Sequence, residues 1–181
     1  MKRAILIGLV VGMLFVSCEK TASIQSYFVS KMDDSSFFIV NLPIQLDSFF
    51  SKKLSFEEQN AVKNIDKLNL LFFLLNEGQE EKYDKELEEI SAILSQKQFQ
   101  ILMDFKAFDN SKGSLLINGE GDLFEEVIVF FNSTKIGFGI LRIVGSDIDL
   151  GIIVALANKA DPDLIKKQFG SFKEELKGLF D

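Results

Sequence analysis

The chain has 181 residues, 47% hydrophobic and 26% charged, a balance that belongs to a folded domain and not to a disordered one. A net charge of −7 with no cluster of Lys and Arg argues against a nucleic-acid partner, because phosphate binding needs such a cluster. Having no histidine and one cysteine removes Ser-His and Cys-His nucleophile pairs, the commonest zinc ligand, an intramolecular disulfide and any CxxC metal knuckle.

The amino end reads "MKR" followed by "AILIGLVVGMLFV", a basic start and an apolar run too short to span a membrane comfortably. That is the layout of a secretory signal. In "FVSC" a small residue precedes the single cysteine, Cys18, which resembles the bacterial lipobox, with Phe15 where Leu is usual. The resemblance implies that Cys18 receives a diacylglycerol on sulfur, that residues 1–17 are cut away, and that the new amino group is acylated. The other reading is an uncleaved anchor with an incidental cysteine. Each buried methylene contributes about 0.8 kcal/mol and one chain binds only reversibly, so several chains would hold the protein to its membrane. Losing Lys2 and Arg3 leaves the remainder more acidic still, and anionic headgroups would repel it. Residues 18–22 then form the lipidated cysteine and a short tether, and 23–181 a single domain, since no repeat, Pro-rich linker or low-complexity block divides them.

Along that domain, "SIQSYFVSKM" fits a short amphipathic helix with Ile24, Tyr27 and Phe28 on one side. "SFFIVNLP" fits a strand ended by Pro43, which has no N–H to give a ladder. Ser55 with Glu58 three residues on is a capping box, so a helix starts near Phe56. "KLNLLFFLL" is almost continuously apolar, which predicts a strand buried on both faces. "EEKYDKELEEISAIL" carries Tyr83, Leu87, Ile90 and Leu94 at helical spacing, its charges forming a solvated face. "FQILMDFKAF" alternates, with Phe99, Ile101, Met103 and Phe105 opposite Gln100, Asp104 and Lys106. "SLLIN", "LFEEVIVFF" and "KIGFGILRIV" follow across short turns, which makes four antiparallel neighbours. "SDIDLGIIVALANKA" fits a helix, with Asp149 as its N-cap. Asp161 and Pro162 start a last helix with Ile165, Phe169, Phe172, Leu176 and Leu179 as its stripe. The expected architecture is α+β, a mainly antiparallel sheet with a four-strand meander packed by amphipathic helices.

No stretch carries a catalytic or metal signature. "GSDIDLG" spaces Asp147 and Asp149 two apart, but Gly151 and Asn158 stand where a calcium loop needs an oxygen ligand and a bidentate acid. "NGEGD" reads as a hairpin turn, and Glu125 and Glu126, adjacent on a strand, point to opposite faces. No cofactor is expected and the chain is not expected to be an enzyme. In "KIGFGILRIV", Ile136, Phe138 and Ile140 share one face and Gly137, Gly139, Leu141 and Ile143 the other. The paired glycines leave a trough, filled by a helix in one reading and open to a partner segment or apolar ligand in the other.

The lipobox cysteine, "QSYFVSK", "LNLLFFLL", "NGEGDLFEEVIVF" and above all "LRIVGSDIDL" resemble a family of bacterial envelope lipoproteins, domain-of-unknown-function family 4252, found chiefly in Bacteroidota. That resemblance runs from about Gln25 to Gly170. It implies a small α+β lipoprotein of the cell envelope and carries over no functional residue except Cys18; the expected place of such an anchor is the outer membrane, facing the periplasm or the surface. Two roles are expected: a non-enzymatic protein that binds a partner protein or takes part in envelope stress signalling, or a carrier or chaperone for an apolar ligand in a Phe-lined interior.

Overall fold

The computed structural model describes residues 22–42, 53–106, 111–121 and 123–159. Cys18, the signal segment and the helix expected after Asp161 lie outside the described residues. The order is α1 (Ile24–Ser30), β1 (Phe37–Leu42), α2 (Phe56–Lys63), β2 (Ile65–Leu74), α3 (Glu80–Leu94), β3 (Gln100–Lys106), β4 (Lys112–Glu120), β5 (Leu123–Ser133), β6 (Gly137–Asp149) and α4 (Leu150–Lys159). The six strands form one antiparallel sheet in the order β1-β2-β6-β5-β4-β3, so the protein is α+β. Strands β3 to β6 are neighbours in chain order, and β6 then pairs with β2, placing the thirteen-residue β6 inside the sheet.

Local chemistry sets the helix starts. Ser23 and Ser26 form a reciprocal capping box at α1, and Ser55 and Glu58 another at α2. The Ile152 N–H donates to Asp149 Oδ1 at 3.1 Å, so Asp149 caps α4 at the point where β6 ends.

Directly paired residues of neighbouring strands share a face. Phe37, Phe73, Phe138, Ile140, Leu71, Phe130, Ile128 and Leu116 make up one face, which α1 and α3 cover with Ile24, Tyr27, Phe28, Tyr83, Ile90, Ile93 and Leu94. Phe73 and Phe138 stack at 5.4 Å with planes 6° apart, and Phe37 meets Phe73 edge-on at 5.1 Å. Phe73, Leu71, Phe138, Ile140 and Ile128 are wholly buried there. The opposite face holds a smaller cluster of Ile65, Ile117, Phe124, Val127, Ile143 and Ile148, packed by Leu150 and Ile153 of α4. Farther along that face Leu70, Phe72, Val129, Phe131 and Leu141 are half-buried. In the stretch expected to be buried on both faces, β2 is fully buried only at Leu71 and Phe73, on the side under α1 and α3. Ile65 at its start is buried in the second cluster, and Leu74 at its end is 47% exposed.

Two elements depart from the simple patterns. In β3 the register shifts between Ile101 and Met103, so Ile101 opposes Leu116 and Met103 opposes Leu115, on different faces. The single apolar face expected for Phe99 to Phe105 does not form, and as the edge strand β3 leaves Ile101, Leu102 and Met103 exposed. In α3 the charges are not all solvated. Glu86 is buried and accepts from the Tyr27 hydroxyl at 3.0 Å, with Lys31 Nζ 2.6 Å away. Burial, then the Glu86 charge, pushes the Tyr27 hydroxyl well above its usual pKa, so it stays a donor.

Candidate functional site

The strand β6 carries the four residues expected to form a trough. Gly137 has φ +109, and a Cβ there would overlap the Phe73 carbonyl, so only glycine lets β6 start against β2. Gly139 faces Phe72 of β2 and Phe131 of β5, its direct partners, and a Cβ would overlap the Phe131 ring. Those rings meet over the glycine at 5.5 Å. Among the described residues, the notch left by Gly139 is filled by the rings of its neighbours in the sheet. Ile143 is buried in the second cluster and Leu141 is half-buried beyond it. Ile136 does not share a face with Phe138 and Ile140: it lies in the turn before β6 and is 50% exposed.

A second region gathers motifs that the sequence keeps apart. Glu126 pairs with Asn118 on β4 and Val144 on β6, while Phe124 pairs with Gly119 and Ile148. Glu125 is thus skipped by both neighbours. On the β6 side Gly145, Ser146 and Asp147 fill the same gap, with Asp147 at φ +55. This double bulge moves Phe124 to the second cluster and leaves Glu126 on the helix-covered face. The two glutamates do point apart, but through an inserted residue and not through simple alternation.

Where the ladders part, a cleft of about 710 Å³ opens, lined by Lys97, Gln98, Asn118, Phe124, Glu125 and Asp147, with Gly119 at its side. Its wall continues into a buried charge pair. Asn118 Nδ2 donates to Glu126 Oε2 at 3.5 Å, Arg142 Nε donates to Glu126 Oε1 at 2.5 Å, and Arg142 Nη1 donates to Gln25 Oε1 at 2.6 Å. Arg142 and Glu126 side chains are 11% and 9% exposed, so the pair is buried beside Asn118. Nothing local in the sequence marks Lys97 and Gln98, which sit in the α3–β3 connection, and Asn118 reads only as the first residue of a turn. The available signal was "EE" inside an otherwise apolar strand, which breaks the period of two and marks a bulge.

Among the described residues no group of His, Cys, Asp or Glu is arranged to hold a metal ion. Among the same residues no helix is long and apolar enough to cross a membrane. No curated protein and no solved structure matches the chain. Residues 27–156 match a family described as a domain of unknown function, DUF4252. That span runs from α1 into α4 and takes in all six strands, the double bulge and the cleft. The chain belongs to the DUF4252 family.

Proposed function

We propose that this protein is a bacterial envelope lipoprotein, tethered through acylated Cys18, that binds a partner protein without enzymatic chemistry. The observation that carries the partner reading is the edge strand β3. Ile101, Leu102 and Met103 are 56%, 41% and 52% exposed in succession, on the strand that among the described residues ends the sheet, whose apolar second face is only half-buried beyond α4. An edge of this kind is a template for an added strand, which takes its affinity from main-chain hydrogen bonds and its selectivity from side-chain contacts. The stacked aromatic interior under α1 and α3 favours this reading over carriage of an apolar ligand among the phenylalanines. Envelope stress signalling is one setting in which such a tethered binder would serve.

The test is photo-crosslinking in cells from a probe at Leu102, with labelled fatty acid in the medium. The wild-type chain should incorporate label and give one discrete adduct. Cys18→Ala should lose the label, and with it the adduct if the partner is confined to the envelope surface. Unchanged labelling of Cys18→Ala would end the lipid-anchor reading, and no adduct from the labelled wild-type chain would end the partner reading.

A further inference from the structure

We infer that the cleft where β4, β5 and β6 lose register is a binding site for short peptides with free ends, engaged as zwitterions. The site is distinct from β3 and does not depend on the partner reading above.

Three features of the cleft converge. It is built by two register irregularities that coincide at one residue, Glu125, and bulges of this kind redirect a side chain out of the ladder. Beside it Asp147 holds a left-handed backbone inside a strand, a conformation that Asp tolerates better than most residues and that turns its carboxylate out of the pleat. The cleft volume of about 710 Å³ lies in the range of small-ligand sites and exceeds what a single amino acid would fill.

The lining fits one kind of ligand in each of its parts. Glu125 and Asp147 supply two carboxylates for an ammonium, and Lys97 supplies an ammonium for a carboxylate. The carboxamides of Gln98 and Asn118 each offer both a donor and an acceptor, which is what a peptide bond asks for. Asn118 also reaches the buried Glu126, its Nδ2 donating to Oε2 at 3.5 Å. Phe124, buried in the second cluster, contributes to the wall of the cleft. A nucleotide or sugar phosphate suits the cleft poorly, since among the described lining residues carboxylates outnumber lysines.

The full chain in detergent, labelled with nitrogen-15, can be titrated with trialanine while backbone amides are followed by NMR. The expected result is saturable shifts at Asn118, Gly119, Glu125 and Asp147, with Kd of about 1 mM or tighter. Acetylating the peptide's amino end or amidating its carboxyl end should each weaken binding about tenfold. Asp147→Asn, which keeps the tolerance for the left-handed backbone, should erase the discrimination against the acetylated peptide. Lys97→Gln should erase the discrimination against the amidated one. Both side chains are on exposed residues, so the remaining spectrum should be unchanged. Should Asp147→Asn disturb the fold, Glu125→Gln gives the same reading at the amino end. Shifts that do not saturate, equal binding of the doubly blocked peptide, or intact discrimination in a folded Asp147→Asn or Glu125→Gln chain would each overturn the proposal.

Discussion

The two faces of the sheet use the same residue types and reach different degrees of closure. Under α1 and α3, rings and branched chains from five strands interlock until Phe73, Phe138, Leu71 and Ile140 have no exposure. On the other face, Phe72, Phe131, Leu70, Val129 and Leu141 are equally apolar but only half-buried, while α4 covers the end near Ile143. Apolar strand residues do not decide their own burial; the amphipathic helix laid across them does. α3 brings Tyr83, Ile90, Ile93 and Leu94 down on one side, and the described part of α4 brings Leu150 and Ile153 down on the other.

The contrast is most strongly tested by paired ring deletions. Phe138→Ala should cost about 3–5 kcal/mol in equilibrium urea unfolding, because a wholly buried ring leaves both lost transfer energy and a cavity. Phe131→Ala should cost about 1–2 kcal/mol, since a half-buried ring gives up less area and its site can collapse. Equal losses would mean that the two faces are equally closed. A somewhat smaller effect is expected from the charge pair under the first face. Glu126→Gln should cost about 3 kcal/mol by leaving Arg142 buried without its counter-charge, and Glu126→Leu with Arg142→Met should recover much of that loss. If the double variant is no better than the single one, the pair contributes stability in its own right.

The smallest effect belongs to the second face. The bond from Lys159, then the capping bond from Ser55, holds the Glu58 carboxyl below its ordinary 4.5. A lowered folded-state value means that the contribution is present above 4.5 and is lost as the pH falls through the folded value beneath it. The melting temperature of Glu58→Gln should therefore trail the wild type at neutral pH, and the gap should narrow as the medium is acidified below that range. A gap independent of pH would place the role of Glu58 in shape and not in charge.

What the sequence displayed was local. The capping box at Ser55, the cap at Asp149 and the amphipathic stripe of α3 are each written within a few residues, and the structure shows all three. The bulge at Leu102 was hidden because Phe99, Ile101, Met103 and Phe105 read as simple alternation. The one at Glu125 left only the adjacent glutamates as a mark, since the rest of β5 is apolar on both faces and carries no penalty for a one-residue slip. The buried role of Glu86 was hidden for a related reason: its partner Tyr27 comes from a distant helix, and a charge in an acidic run looks solvated until that partner is known. The cleft required β4, β5, β6 and the α3–β3 connection to meet, and no spacing rule joins Lys97 to Asp147.

The interior place of β6 has a consequence for how the chain acquires its structure. β3 to β6 join by short turns and can zip up through contacts near in sequence. β2 can pair with β1 early, but its other edge waits for β6, since Phe73 meets Phe138 and Leu71 meets Ile140 across the intervening α3 and β3 to β5. Closing that long loop is the entropically costly step, so it should limit the folding rate and raise the contact order above that of the hairpins alone. A chain emerging amino end first would hold the apolar side chains of β2 without their β6 partners until nearly all the sheet had appeared, which is the interval in which a holding chaperone would matter most.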